Sequence, residues 1–204
     1  LIILEGTVLD QYRYPVACSI PEDELVPLPR YLHGYLTDNG YSQVAFYSNL
    51  MGFMNPYAPG MVEQYARLAG VQAQEGVIPA EFKGNKADTA PNIIRRVMTQ
   101  QKAATATVLE LASHYIITPE RMDQHDVNSF NLLMQSAMSA ATVRTPMGKR
   151  QNLLILLVSK LNDLPAWFYL NNPLCKTIRI EAPDREERKR LISGRAFPTF
   201  FDSA

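Results

Sequence analysis

The chain has few cysteines, no excess of charge and no long apolar run. Its two cysteines, Cys18 and Cys175, are too few and too far apart for a disulfide framework or a cysteine-rich zinc site. Lys+Arg and Asp+Glu number 20 each, so the net charge of zero argues against a cationic nucleic-acid-binding surface. No stretch approaches the roughly 18 apolar residues of a membrane span. We therefore expect a cytoplasmic protein that binds neither membrane nor nucleic acid.

The sequence does contain enough apolar material for a folded core. Hydrophobic residues make up 47% of the 204 residues and charged residues 20%, a composition that excludes general disorder. The chain begins at Leu1, inside an apolar run, with neither an initiator Met nor a signal peptide. We expect it to be a segment of a longer polypeptide.

Five apolar runs have the length of β-strands, and helical patterns lie between them. The runs are residues 1–4 (or 1–9), 42–47, 104–111, 153–159 and 177–180. Runs 104–111 and 153–159 are almost continuously apolar, which is typical of strands buried on both faces of a parallel sheet. The alternation predicts an α/β fold, a three-layer α/β/α sandwich with a five-stranded, mainly parallel sheet and these two runs adjacent at its centre.

The helical patterns cover residues 28–38, 61–68, 90–101, 127–141 and 184–192. Asp126 is predicted to cap the fourth helix, and Asp184 with Glu187 forms a variant of the capping box at the fifth. Asp123, His125 and Asp126 lie close together, but a helix cap explains this cluster better than a metal site does. Residues 48–88 are longer than an ordinary connection and are interpreted as a partly ordered insertion.

The motifs after residue 104 resemble the second half of an AAA+ ATPase core. A buried strand, LLILLVSK at 153–160, is followed by a Leu-Pro pair at 164–165, a short last strand, and a Pro-Asp-x-x-x-Arg helix start at 183–188. The resemblance covers residues 104–192, and the first hundred residues only by topology. It implies a P-loop NTPase-like (AAA+) topology over residues 1–192, with 48–88 as an insertion and 193–204 as the start of a linker or lid.

The positions that bind and hydrolyse ATP in AAA+ proteins are altered in this sequence. After the first strand, residues 5–13 contain one glycine and no lysine, where that family has G-x-x-x-x-G-K-[ST]. Glu110 matches the Walker B metal-ligand position without a second acid, Lys160 matches the sensor position that usually holds Asn, and Pro173 falls near the arginine-finger position. The resemblance and these departures together indicate a degenerate AAA+ domain that needs no cofactor and is not an autonomous ATPase.

Three functions are open at this stage. The first is an assembly or regulatory module of a larger ATPase or remodelling protein. The second is an active AAA+ ATPase that completes its ATP and Mg²⁺ site with residues outside this chain. The third is a stand-alone protein-interaction domain that uses residues 48–88.

The resemblance further implies a homo-oligomer, an adjacent domain of the same polypeptide, and a protein client. Candidate contact residues occur in two aromatic or apolar stretches. Met51 and Phe53 follow the second strand, where AAA+ proteins that thread polypeptides carry an apolar pore loop. Trp167 and Phe168 form an aromatic run whose uses are core packing or a subunit contact.

Overall fold

The computed structural model describes residues 1–15, 23–72, 79–84, 89–116 and 118–194. The strands are β1 (Ile2–Gly6), β2 (Gln11–Pro15), β3 (Asp23–Pro27), β4 (Gln43–Ser48), β5 (Gly52–Met54), β6 (Thr105–Leu109), β7 (Thr142–Thr145), β8 (Gly148–Gln151), β9 (Leu153–Val158) and β10 (Lys176–Ile180). The helices are α1 (Leu28–Asp38), α2 (Gly60–Leu68), α3 (Ala90–Thr99), α4 (Gln124–Met138), α5 (Ala166–Tyr169) and α6 (Arg185–Ser193). Among the described residues, no helix combines the length and apolar character needed to span a bilayer.

The central sheet has six strands in the order β10–β1–β9–β6–β4–β5. The first five of these strands are parallel, and β5 pairs with β4 in the antiparallel sense. Strands β6 and β9 are adjacent at the centre, so the predicted α/β sheet and its central pair are confirmed. The sixth strand was not predicted, because β5 has only three residues and begins at Gly52, whose φ of +76° few other residues adopt.

Two β-hairpins lie outside the central sheet and were also not predicted. Strands β2 and β3 form one, between β1 and α1, and strands β7 and β8 form the other, between α4 and β9. Both are short and largely polar, so neither shows the continuous apolar pattern of a buried strand.

The two faces of the sheet bury separate apolar layers. Helix α1 covers one face with a single stripe, Leu28, Leu32 and Leu36. The opposite face carries α2, α3, α4 and α5, and its largest fully buried side chains include Tyr65, Phe53, Phe82, Ile94, Leu156 and Phe168. This arrangement is the predicted three-layer sandwich, because helices flank the sheet on both sides.

The helix ends follow the predictions closely, with one correction. Helix α1 has the predicted bounds, and Asp184 and Glu187 form the predicted capping box, with hydrogen bonds of 2.9 and 2.7 Å. Helix α4, however, begins at Gln124, and the Asp123 side chain accepts a hydrogen bond of 2.8 Å from the Asp126 N–H. The prediction of Asp126 as the cap was wrong, because α4 covers Gln124–Met138, about one turn before the predicted range 127–141.

Residues 48–72 are integral to the sandwich, since they supply β5 and α2. The buried Asn55 side chain ties this stretch to the sheet: its amide donates to the Val44 carbonyl at 2.8 Å, and its oxygen accepts from the N–H groups of Tyr57 and Ala58, each at 3.0 Å. Residues 73–78 and 85–88 of the predicted insertion, and 195–204 of the predicted linker, lie outside the described residues.

Asn152 joins α3, β6 and β9 at the edge where the strands begin, called here the amino edge. Its side chain is 2% exposed, and its oxygen accepts from the Thr105 N–H at 3.0 Å. Its amide donates to three carbonyl groups at the C-terminal end of α3, those of Val97, Met98 and Gln100, at 2.8–3.2 Å. One side chain therefore satisfies backbone groups that a helix end and a strand start would otherwise leave unpaired.

We expect Asn152→Ala to lower the free energy of unfolding by about 3 kcal/mol, because each buried polar group left without a partner costs about 1–3 kcal/mol. Urea denaturation measures the loss. The matched control is Gln151→Ala at the exposed neighbouring position, where we expect a change within about 0.5 kcal/mol. Equal urea midpoints for Asn152→Ala and the wild type would contradict the role given to Asn152.

Candidate functional site

The carboxyl ends of the five parallel strands meet along one side of the sheet, called here the carboxyl edge. In doubly wound sheets, ligands bind at this edge where consecutive connections leave in opposite directions. That point lies at β1, which has β9 on one side and β10 on the other. Glu110 directly follows β6 and Lys160 closely follows β9, so these two candidates lie at the carboxyl ends of adjacent strands.

Gly6 ends β1 at a position that requires glycine. Its φ is +122°, and a Cβ atom there would lie 2.1 Å from the Ile180 carbonyl oxygen of β10. The glycine therefore allows two strands to approach each other closely. This role differs from that of the glycines in a phosphate-binding loop, which open the backbone toward a ligand.

The backbone donors after β1 are used within the chain. The Thr7 N–H donates to the Ile180 carbonyl at 3.3 Å, the Val8 N–H to Gly6 at 2.8 Å, and the Asp10 N–H to Thr7 at 3.1 Å. A phosphate-binding loop instead directs successive free N–H groups at the ligand. These three N–H groups are therefore not free to bind a phosphate.

The β2–β3 hairpin separates this turn from the first helix. Helix α1 follows β3 directly, with Pro27 at its cap position and Pro29, which has no N–H, in its first turn. The hairpin is attached to α1 by tyrosines: the Tyr14 ring meets the Tyr31 ring edge-on at 5.6 Å, and the Tyr14 hydroxyl donates to Asp38 at 2.7 Å. The chain after β1 thus forms a packed hairpin and not a loop that leads straight into a helix.

Glu5 links the carboxyl ends of β1 and β9. Its Oε1 atom accepts a hydrogen bond of 3.1 Å from the Leu161 N–H, in the loop that begins at Lys160. The Lys160 N–H donates in turn to Asp163 at 3.0 Å, and the Lys160 side chain is exposed. Glu5 therefore places a carboxylate beside the start of the turn, where a nucleotide phosphate would need positive charge.

Glu110 is half-buried, and burial raises the pKa of its carboxyl group above the usual value. Its N–H donates to the Tyr47 carbonyl at 2.8 Å, and the Tyr115 hydroxyl donates to the same carbonyl at 3.0 Å. The next residue, Leu111, is left-handed with a φ of +51°. That conformation costs a non-glycine residue roughly 1–2 kcal/mol and often accompanies function.

The four contact candidates separate into two exposed and two buried side chains. Met51 is 58% exposed in the turn between β4 and β5, and Trp167 is 43% exposed on α5. Phe53 is 1% exposed and Phe168 is 0% exposed, and Phe168 packs edge-on against Phe130 at 5.1 Å. Phe53 and Phe168 therefore pack in the core and expose almost no side-chain surface to a partner, whereas Met51 and Trp167 do expose such surface.

A groove of about 490 Å³ lies beside Trp167 and was not predicted. We call it the Trp167 groove, and its lining includes Glu120, Met122, Val127, Asn162, Trp167 and Tyr169. These residues come from the segment before and within α4 and from the segment after β9. Its lining combines apolar side chains with the Glu120 carboxylate and the Asn162 side-chain amide, and a concave surface of this kind is a candidate binding site.

The remaining candidates provide no metal or reactive-thiol site in the part of the chain that the structure describes. That part contains no group of three or more His, Cys, Asp or Glu residues that could hold a metal ion. Cys175 is a free, half-buried thiol whose pKa burial raises. Cys18 lies outside the described residues, and Pro173 lies before β10, toward the amino edge and away from Glu110.

The raised pKa of Glu110 leads to a prediction about stability and pH. The folded protein holds this proton more tightly than the unfolded chain, so ionised Glu110 lowers stability above the raised pKa and has no such effect below the unfolded-state pKa. We expect Glu110→Gln to raise the free energy of unfolding at about pH 7, and the gain to vanish toward about pH 4.

Urea denaturation of wild type and Glu110→Gln at both pH values measures this difference. Glu81→Gln, at an exposed position, serves as the control and should change little at either pH. Lower stability of Glu110→Gln at neutral pH would mean that the carboxylate makes a stabilising contact, and the interpretation from burial would then be wrong.

The comparison with known proteins identifies a family. Residues 1–181 match the family described as the AAA+ chaperone, N-terminal Rossmann-like domain. No curated protein and no solved structure matches the chain significantly. The match covers most of the chain and agrees with the parallel six-stranded sheet, so the AAA+ resemblance is confirmed. The chain belongs to the N-terminal Rossmann-like domains of AAA+ chaperones.

Proposed function

We propose that this chain is an assembly or regulatory module of a larger AAA+ chaperone and that it does not bind nucleotide itself. The observation that carries the proposal is the path of the chain after β1. In the turn 6–10 the N–H groups of Thr7, Val8 and Asp10 donate within the chain. The turn leads into the β2–β3 hairpin, where a nucleotide-binding protein needs an open glycine-rich loop.

Charge at the carboxyl edge supports the same proposal. P-loop proteins meet the negative charges of ATP with backbone N–H groups, a lysine and Mg²⁺ together. Here Glu5 and Asp10 are carboxylates at either end of the turn, and Glu5 already accepts a hydrogen bond from Leu161. A charge-assisted hydrogen bond contributes about 1.5–3 kcal/mol, so the loss of several removes most of the affinity of such a site.

An ATPase completed by residues from outside this chain is the second candidate. The observation that favours it is the left-handed Leu111, directly after Glu110 at the Walker B position. Backbone strain beside a half-buried carboxylate is a feature of working sites. In this reading Glu110 would hold the Mg²⁺ of an ATP molecule whose phosphates are bound mainly by other parts of the protein.

Calorimetric titration of the 204-residue chain with Mg-ATP tests the proposal. We expect no saturable heat up to about millimolar nucleotide, which corresponds to a binding free energy weaker than about −4 kcal/mol. Glu110→Ala should behave like the wild type in this titration, because Glu110 has no nucleotide to contact.

Low-micromolar binding that Glu110→Ala abolishes would overturn the proposal, because Glu110 would then take part in nucleotide binding by this chain. The matched control is Glu81→Ala, which removes an exposed carboxylate elsewhere on the chain. Binding that both variants retain would place the nucleotide away from Glu110 and would contradict both candidates.

A further inference from the structure

The β7–β8 hairpin carries an apolar tip on a rigid turn. The Thr145 hydroxyl donates to the Gly148 carbonyl at 2.8 Å and accepts from the Met147 N–H at 3.2 Å, which fixes the turn. The base is held by Arg150, whose Nε–H donates to the Asn39 carbonyl at 2.6 Å. Met147 at the tip is nevertheless 57% exposed. The hairpin therefore presents a methionine that the described part of its own chain leaves largely uncovered.

The hairpin also contains a pair of like charges that is unfavourable within the chain. Arg144 of β7 lies directly opposite Lys149 of β8, and both are exposed. Like charges at directly opposed positions of an antiparallel pair destabilise it. An acidic surface placed against the hairpin would relieve this repulsion.

The Trp167 groove complements the hairpin in both polarity and charge. Its apolar lining includes Met122, Trp167 and Tyr169, which suits a methionine side chain. Glu120 also lines the groove, and Asp163 lies between two lining residues. The groove thus combines apolar side chains with the Glu120 carboxylate, and the nearby Asp163 carboxylate accepts a hydrogen bond from the Lys160 N–H.

The local charge balance at the groove is negative. The carboxylates in its two segments, residues 119–127 and 160–169, are Glu120, Asp123, Asp126 and Asp163, and the cations there are Arg121 and Lys160. Charge complementarity of this kind steers association and selects the partner surface, even where each exposed pair contributes little affinity.

The hairpin and the groove lie at opposite edges of the sheet. The hairpin immediately precedes β9, and the groove residues Asn162 and Trp167 follow β9. A strand of six residues spans about 20 Å, so β9 separates the two features by that distance. The rigid hairpin therefore cannot reach the groove of its own chain.

We propose that the β7–β8 hairpin of one copy docks into the Trp167 groove of a second copy. Met147 enters between the apolar lining residues, and Arg144 and Lys149 face the negatively charged segments that form the groove. The contact uses two different surfaces, so it is heterologous and forms a closed ring or an open chain of copies, depending on the rotation between neighbours. This proposal rests on the proposed function, in which the chain acts as an assembly module.

Trp167 is the only tryptophan of the chain, so its fluorescence reports directly on the groove. With rising concentration of the 204-residue chain, we expect light scattering to show association and the Trp167 emission to shift to shorter wavelength as the ring leaves water. Met147→Asp should weaken association by about thirtyfold, the loss typical of a central interface anchor. The control is Ile192→Asp, which changes an apolar side chain that is 59% exposed on α6 and should leave association unchanged.

A charge exchange tests the pairing itself. The double variant Arg144→Glu with Lys149→Glu still places two like charges opposite each other. The repulsion within the hairpin therefore stays similar to that of the wild type, while the charge of the hairpin changes from positive to negative. The double variant Glu120→Lys with Asn162→Lys changes the charge of the groove lining from negative to positive. We expect each double variant alone to associate about tenfold more weakly than the wild type, and an equimolar mixture of the two to recover association with the Trp167 shift.

A wild type that stays monomeric with constant Trp167 emission would overturn the proposal. So would variants that associate as the wild type does, or a mixture that shows no recovery. Circular dichroism verifies that each variant is folded. The mixture is a further control, because association can recover only if both double variants are folded and able to bind each other. These association measurements do not depend on nucleotide binding. The Mg-ATP titration tests the proposed function separately, so the two proposals can fail independently of each other.

Discussion

Strand β1 is hydrogen-bonded along both sides, to β9 and to β10, and the arrangement of the carboxyl edge depends on this placement. Because β10 runs so close, the end of β1 must be Gly6, and the next N–H group is taken by the Ile180 carbonyl. The chain then turns tightly, and Glu5 closes the gap to the loop after β9. The sheet keeps the strand arrangement of a Rossmann-like domain, while backbone carbonyl groups accept from the Thr7, Val8 and Asp10 N–H groups that follow β1.

The amino edge differs from the carboxyl edge, because a buried side chain, Asn152, organises it where the carboxyl edge has the tight turn after Gly6. The Asn152 side chain bonds the carbonyl groups at the end of α3 and the first N–H of β6, so one amide joins a helix end to a strand start. The β7–β8 hairpin ends at this same residue and is further held to Asn39. The Arg150–Asn39 hydrogen bond thus holds the base of the hairpin, while Met147 at its tip is largely exposed.

The sequence predicts the parts of the fold that are specified by local burial. Strands β6 and β9 are apolar on both faces and α1 has one clean stripe, so their places follow from the pattern of residues alone. Strand β5 could not be predicted, because it exists through contacts with β4 and with the distant residues 82–84 that approach Gly52. The positions of Glu110 and Lys160 were predictable, because each follows one of the two apolar central strands. The Trp167 groove was not predictable, because it is formed by two segments about 40 residues apart.

Departures from local rules are concentrated at the two edges of the sheet. Examples at these edges are the left-handed Leu111, the opposed Arg144 and Lys149, and the exposed Trp167 and Met147. A sequence selected only for stability would remove such features, because each has a cheaper alternative. Function in this domain is therefore to be sought at the ends of the strands, where the Rossmann-like sheet meets other molecules or other copies, and not in the sheet topology itself.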